Sequence, residues 1–120
     1  LTRSSAASDV YKRQILGFSQ GGSICWKLGL DNSAKFRRVI SLSSFIHPSY
    51  LKNNISSYKD KLIYCSHGSL DEVIPISLVD EHILKLTEKN NLTYDKFDSG
   101  HTISQENMYS LLNWINKTGI

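Results

Sequence analysis

The chain has 120 residues, enough for one domain and too few for two. Hydrophobic residues make up 40% and charged residues 21%, an ordinary composition that argues against disorder, collagen and a coiled coil. The formal net charge is +3, and residues 1–13 carry +2 of it. The remaining charge shows no basic cluster of the kind that nucleic-acid-binding proteins carry, so we expect no nucleic-acid partner. No apolar run approaches the roughly 20 residues of a membrane helix, so we expect no transmembrane segment.

The two cysteines, Cys25 and Cys65, are too few for a disulfide framework in a chain of this length. We predict that both are small buried residues in a reducing compartment, which favours the cytoplasm. The histidines and cysteines show no metal-ligand spacing such as H-x-x-x-H or C-x-x-C. We therefore expect neither a metal nor another cofactor.

The first 13 residues, LTRSSAASDVYKR, differ in character from the rest of the chain. They have no hydrophobic core of the kind a signal peptide requires and no helical or strand periodicity. They resemble adapter or vector read-through, so we predict a non-native leader over 1–13 and a partial domain over 14–120. The native N-terminus, with any targeting signal, would then lie upstream. The alternative is a genuine, frayed polar terminus.

Short apolar runs alternate with amphipathic stretches from residue 15 onward. We predict strands at 15–18, 39–45, 61–66 and 92–97, with the last at a sheet edge. We predict helices at 23–30, from Pro75 to the asparagines at 90–91, and over a segment from Met108 to Ile115. A long loop or broken helix is predicted at 47–60. This order is typical of a mostly parallel sheet of about four strands flanked by helices. The predicted fold class is α/β.

The apolar spacing also predicts which helix faces are buried. Ile24, Trp26 and Leu28 indicate a partly buried first helix, and Ile76, Val79, Ile83 and Leu86 form the stripe of an amphipathic second helix. The last helix is marked by Met108, Leu111, Leu112 and Ile115. Pro75 fits the first turn of its helix, where its missing N–H is not needed. Thr102 and Gln105 have the spacing of a capping box at the start of the last helix.

A G-x-S-x-G sequence, GFSQG at residues 17–21, stands where the first strand becomes a helix. A nucleophilic serine must project from a turn so tight that bulky neighbours would clash, which explains glycine on both sides. Ser19 is therefore the candidate nucleophile, and the N–H of Gln20 is the candidate oxyanion donor. The alternative is a glycine-rich turn that binds a phosphate. Neither G-x-G-x-x-G nor G-x-x-x-x-G-K-[ST] is present, so this alternative is weaker.

A serine needs a general base and an acid that orients it, and in this type of fold the chain order is serine, acid, histidine. Asp71 follows the third strand, at the end of a parallel sheet where active-site loops lie. We choose Asp71 as the acid. Glu72, which adjoins the next helix, and Asp98 are the alternatives.

Four histidines compete for the role of base. His47 and His67 precede the acid, and His82 lies inside an amphipathic helix. His101 follows the fourth strand in a glycine-containing loop before the last helix, so it is our choice. For His67 we expect a structural role beside the Asp71 loop, such as a side-chain hydrogen bond to the backbone.

Together these motifs resemble the phospholipase/carboxylesterase family of α/β-hydrolases, which includes acyl-protein thioesterases and small bacterial carboxylesterases. The resemblance rests on GFSQGG at 17–22, His67-Gly68 with Asp71 and Pro75, and Gly100-His101. It runs from about Gln14 to Ile115 and corresponds to the C-terminal portion of the family's domain. The family's earlier strands, and the loop that donates its second oxyanion N–H, lie upstream of the serine strand. We therefore expect residues 1–120 alone to be poorly active and unstable.

The resemblance implies a Ser19-Asp71-His101 triad that hydrolyses carboxylic esters or thioesters, with small acyl substrates or an S-acylated protein as partner. Phe18, Phe45, Ile46 and Val73 are candidates for an acyl pocket, with ordinary core packing as the alternative. Ser44 stands where the family has a glycine, so we expect the local turn to differ. Three alternatives remain: a lysophospholipase, a generic short-chain esterase, or an inactive truncated half-domain.

Overall fold

The computed structural model describes residues 14–31, 36–47, 49, 61–87 and 91–118. The strands are β1 (Gln14–Phe18), β2 (Arg38–Leu42), β3 (Leu62–Gly68) and β4 (Asn91–Phe97), and the helices are α1 (Gln20–Asp31), α2 (Ile76–Thr87) and α3 (Gln105–Lys117). The predicted α/β class and its alternation of strands and helices are confirmed. Two predictions, the leader at 1–13 and most of the loop at 47–60, fall outside the described residues.

The four strands form one parallel sheet in the order β1-β2-β3-β4. Within the described part of the chain β1 and β4 are the edges, and β4 is at an edge as its polar sequence predicts. Gly17 is paired with Ser41, and Ser41 with Cys65, so the carboxyl ends of the strands lie level with one another. The loops that follow β1, β3 and β4 therefore meet at a single end of the sheet.

Helices cover both faces of the sheet. Against one face, Cys25 and Trp26 of α1 and the apolar stripe of α2 form one buried cluster with strand residues such as Val39. Against the other face, Leu111 and Trp114 of α3 pack on a second cluster. Both cysteines are buried and unbridged, as predicted, and burial raises the pKa of each thiol, which makes both poor nucleophiles.

The buried face of α1 differs from the prediction. Ile24 and Leu28 are 55% and 39% exposed, whereas Cys25 and Trp26 are buried. A Cβ at Gly29 would lie 2.6 Å from a methyl carbon of Val39, so the helix approaches β2 through a residue with no side chain. The burial of Trp26 was predicted correctly, but glycine gives no apolar signal, so the sequence pattern wrongly included Ile24 and Leu28.

The N-cap of α3 also differs from the prediction. Ser104, and not Thr102, is the N-cap residue, and its hydroxyl accepts a hydrogen bond from the N–H of Asn107 at 3.1 Å. Asn107 is buried because its side chain bonds Ser66 and Tyr64 in the sheet, at 2.9 and 3.1 Å. Rotating the helix to bury this amide leaves other apolar residues outside. Of the four apolar residues that mark this helix in the sequence, Met108 and Leu112 are exposed.

The remaining differences are in element boundaries. β2 ends at Leu42, because Ser43 has a left-handed backbone with φ of 53° that stops the strand. β3 continues to Gly68, and α2 begins at Ile76, so Pro75 immediately precedes the helix. The predicted stripe of α2 is confirmed, with Val79, Ile83 and Leu86 buried. Among the described residues, no helix is long and apolar enough to cross a membrane.

Candidate active site

Ser19 is the single residue between β1 and α1, and it adopts a left-handed backbone with φ of 56°. Such a conformation is uncommon for a residue with a side chain and costs on the order of 1 kcal/mol or more. The surrounding backbone holds it, since the N–H of Ser19 bonds the carbonyl of Leu42 at 2.9 Å and its carbonyl accepts from Ser23 at 3.1 Å. The serine therefore projects from a sharp strand-to-helix turn.

The glycines around Ser19 are not equivalent. A Cβ at Gly17 would collide with the carbonyl of Gly21 and lie 2.7 Å from the Sγ atom of Cys25. At Gly21, in contrast, a Cβ would meet nothing within 4 Å. The expectation that space demands glycine on both sides of the serine is thus correct for Gly17 and wrong for Gly21.

Gln20 is the first residue of α1. The first N–H groups of a helix have no carbonyl partner within it, and the helix dipole places partial positive charge there. The N–H of Gln20 therefore lies at the helix terminus that follows the Ser19 turn, where an anion is stabilised.

Asp71 lies in the loop after β3, and its side chain is inaccessible to solvent. One carboxylate oxygen, Oδ1, accepts hydrogen bonds from the N–H groups of Val73 and Ile74, both at 2.8 Å. Burial acts to raise the pKa of this carboxyl group, but the hydrogen bonds from the Ile74 N–H, His101 and the Val73 N–H outweigh it. The pKa of Asp71 is therefore lowered, so the carboxylate is ionised throughout the neutral range.

His101 connects the acid to the serine. Its Nδ1 is 2.7 Å from Oδ2 of Asp71, and its Nε2 is 2.9 Å from the Oγ of Ser19. The imidazole is 20% exposed, and the ring of Phe18 packs against it with centroids 5.1 Å apart. Because the carboxylate only accepts, Nδ1 carries a proton, and the unprotonated Nε2 faces the hydroxyl. The three residues chosen from the sequence thus form one hydrogen-bonded chain.

The loops that carry Asp71 and His101 are in direct backbone contact. A Cβ at Gly68 would collide with the carbonyls of Ser99 and Gly100. Beside this contact the N–H of Leu70 bonds the carbonyl of Ser99 at 3.0 Å. The relative position of the acid and the base therefore depends on a glycine at the end of β3.

We predict that Gly68→Ala lowers the free energy of unfolding by about 1–3 kcal/mol, because two carbonyls must move to admit the methyl group. Gly100→Ala is the matched control: a Cβ there meets nothing within 4 Å, so its effect should stay within about 0.5 kcal/mol. Urea denaturation of both variants measures the difference. Equal stabilities would contradict the close approach at Gly68.

The other residues singled out by sequence lie in different places. Phe18 and Val73 are 39% and 66% exposed, Phe45 is partly buried, and Ile46 is fully buried in the core. Asp98 accepts a hydrogen bond from the hydroxyl of Ser69 at 3.1 Å, and Glu72 is exposed. His47 bonds Ser49, and His82 is buried against Phe45. None of these acids or histidines joins the Ser19-His101-Asp71 chain.

Several contacts at this site have no signal in the sequence. The backbone donors of Val73 and Ile74 depend only on loop geometry, so residue type does not reveal them. Ser43, and not Ser44, adopts the left-handed conformation after β2, while the Ser44 hydroxyl contacts that of Ser23 at 2.8 Å. The expected structural role of His67 is observed, since its Nε2 is 2.7 Å from the carbonyl of Ile74. Within the described ranges, no three His, Cys, Asp or Glu residues are grouped to hold a metal ion.

A parallel sheet covered by helices, with a serine turn after β1 and loops bearing Asp71 and His101 after β3 and β4, has the architecture of an α/β-hydrolase. Comparison with family models agrees. The model of the phospholipase/carboxylesterase family matches residues 7–119, so the chain belongs to that family. A search of curated proteins finds no match.

Solved structures share the fold at low sequence identity. The esterase PE8 superposes with a TM-score of 0.79 and 20% identity over 95% of this chain and 55% of its own. A Bacillus cereus carboxylesterase gives 0.74 and 16%, over 94% and 55%. An acyl-protein thioesterase 2 of Zea mays gives 0.65 and 15%, over 95% and 62%. The chain therefore spans little more than half the length of these proteins.

Proposed function

We propose that the protein carrying this chain is a serine hydrolase that cleaves carboxylic esters or thioesters through an acyl-enzyme intermediate. The observation that carries the proposal is the continuous chain from Ser19 Oγ to His101 (2.9 Å) and from His101 to Asp71 (2.7 Å). Family membership and the esterases and thioesterase among the similar structures support the same class of reaction.

In the acylation half-reaction, the Oγ of Ser19 attacks the carbonyl carbon of the substrate while Nε2 of His101 takes the hydroxyl proton. Asp71 holds the imidazole in the tautomer that leaves Nε2 free and stabilises the imidazolium that forms. The carbonyl oxygen becomes negative, and the N–H of Gln20 stabilises it. When the tetrahedral intermediate collapses, the imidazolium gives its proton to the departing alkoxide or thiolate, and the acyl group remains on Ser19.

Deacylation repeats these steps with water as the nucleophile. His101 takes a proton from the water as its oxygen attacks the acyl carbon, and the oxyanion forms again beside Gln20. Collapse breaks the bond to Ser19, whose oxygen recovers the proton from His101. The carboxylic acid leaves and the enzyme returns to its starting state, so no cofactor takes part in this cycle.

Phe18 and Val73 supply exposed apolar surface next to the triad: Phe18 contacts His101, and Val73 donates to Asp71. We include both in the acyl-binding surface, together with the partly buried Phe45. Ile46 has no exposed surface, and we assign it to the core. The substrate class includes small acyl esters and thioesters and extends to S-acylated proteins. The free cysteines accord with a cytoplasmic location, which we retain in the proposal.

The proposal is tested by incubating the protein with p-nitrophenyl butyrate and with a butyryl thioester. We expect both to be cleaved, and acid quenching during turnover should trap a butyryl group on Ser19, visible as a mass increase in the tryptic peptide 14–27. Lysophosphatidylcholine tests the lysophospholipase alternative in the same assay. Turnover without an acylated Ser19 would contradict the mechanism, and no turnover of any of these substrates by the protein would contradict the proposed class.

A further inference from the structure

Among the described residues, His67 is the one histidine besides His101 in contact with the acid of the triad. It lies near the end of β3, is 1% exposed, and its Nε2 is 3.3 Å from Oδ2 of Asp71. The same Oδ2 accepts the hydrogen bond from His101. The mechanism proposed above makes no use of this buried imidazole. Only the Asp71 carboxylate lies between His67 and the catalytic His101.

The contacts of His67 fix where its proton lies. The carbonyl of Ile74, 2.7 Å from Nε2, can only accept, so Nε2 carries a proton. Nδ1 is buried and has no partner among the described residues. A proton on Nδ1 would therefore be buried without an acceptor, an arrangement that costs about 1–3 kcal/mol. The ring is thus a donor through Nε2 alone.

The Nε2 donor of His67 completes a set of contacts that joins His67, Ile74 and Asp71. Oδ1 of Asp71 holds Ile74 by its N–H, and His67 holds Ile74 by its carbonyl. The loop that carries Asp71 is therefore held at both backbone polar groups of Ile74, its N–H and its carbonyl. Nε2 also lies 3.3 Å from Oδ2, the oxygen that orients His101, although its N–H is donated to the carbonyl of Ile74.

We propose that His67 is a positioning residue for the hydrolysis: it fixes the rotation of the Asp71 carboxylate so that Oδ2 faces His101. The inference rests on the proposed function, since it concerns how the triad is oriented. His67 touches neither the nucleophile nor the substrate, and its effect passes through Asp71. Its loss should therefore lower kcat and leave substrate binding nearly unchanged.

The test compares three replacements. His67→Asn is too short to reach Ile74, and His67→Phe keeps the ring volume without a donor. His67→Gln places an amide N–H near the position of Nε2. We expect kcat to fall by about tenfold or more in the first two, with KM within about twofold, because small misplacements of catalytic groups carry costs of this size. His67→Gln should restore most of kcat. Should His67→Asn fail to fold, His67→Phe tests the same loss.

His82→Asn is the matched control, because His82 is also a buried histidine whose Nδ1 lacks a partner in the described structure. It should lose stability and keep kcat within about threefold. The NMR resonance of the His101 Nδ1 proton gives a readout independent of turnover. It should shift in His67→Asn and His67→Phe and not in His82→Asn.

The outcomes separate this inference from the proposed function. If Ser19→Ala keeps full turnover, the triad mechanism fails, and the NMR resonance still decides whether His67 orients the Asp71–His101 pair. If turnover depends on Ser19 but His67→Asn and His67→Phe match the parent in kcat and in this resonance, His67 is not a positioning residue. A His67→Gln variant as slow as His67→Asn would also overturn the role of the Nε2 donor.

Discussion

Ser19→Ala should abolish labelling of the protein by a fluorophosphonate probe and lower its esterase rate by on the order of 10⁴–10⁶. The probe forms a covalent bond to an activated serine oxygen, and here the only hydroxyl oxygen bonded to Nε2 of His101 among the described residues is that of Ser19. Triad residues act as a unit, so removing the nucleophile removes the benefit of the other two. Gel fluorescence and p-nitrophenyl butyrate turnover measure the two effects.

Ser23→Ala is the matched control for this experiment. Ser23 lies one helical turn further along α1, and its hydroxyl contacts Ser44 and the carbonyl of Phe45 at 2.8 and 3.2 Å. It contacts no residue of the triad in those bonds, so labelling should persist in this variant. Labelling that survives in Ser19→Ala, or disappears in Ser23→Ala, would contradict the assignment of Ser19 as nucleophile.

The fold and the three residues of the chain Ser19-His101-Asp71 could be predicted because their signals come from chain order. Parallel strands place the loops after β1, β3 and β4 at one end of the sheet, whatever the details of packing. Glycines beside Ser19, Asp71 and His101 mark turns in those loops. An error of two or three residues in a strand boundary, as at β2, leaves this placement unchanged.

The helix faces were harder to predict where close packing depends on small or polar residues. α2 buries Val79, Ile83 and Leu86, and ordinary apolar spacing finds that stripe. α1 instead approaches the sheet at Gly29, and α3 turns to bury Asn107. Neither glycine nor asparagine adds to an apolar pattern, although each decides which side of its helix faces the sheet.

Apart from the N–H of Gln20, the backbone groups of the candidate site could not be predicted. The N–H groups of Val73 and Ile74 lower the pKa of Asp71, but any non-proline residue offers the same donor. The left-handed conformation of Ser43 could not be predicted either, because serine gives no indication of a positive φ. Residue types identified the side chains of the triad, whereas the backbone donors that hold Asp71 depend on loop geometry.

The last prediction compares two of the four candidate bases, His101 and His82. His101→Ala should lose nearly all turnover, by on the order of 10⁴–10⁶, because no other described side chain is bonded to the Oγ of Ser19 as a base. His82→Ala should keep kcat within a few-fold. Its ring lies against Phe45 in the core, with centroids 6.5 Å apart, and it has no contact with the triad among the hydrogen bonds described.

The comparison is most informative when activity and stability are measured on the same samples. His82→Ala removes a buried ring and should lower the free energy of unfolding by about 1–3 kcal/mol. His101→Ala removes the hydrogen bond to the buried Asp71 carboxylate, so it should also lose about 1–3 kcal/mol while being nearly inactive. Similar losses of stability with very different losses of turnover would then separate the catalytic role of His101 from any effect on folding. An inactive but folded His82→Ala, or a His101→Ala that retains turnover, would contradict the assignment of His101 as the base for Ser19.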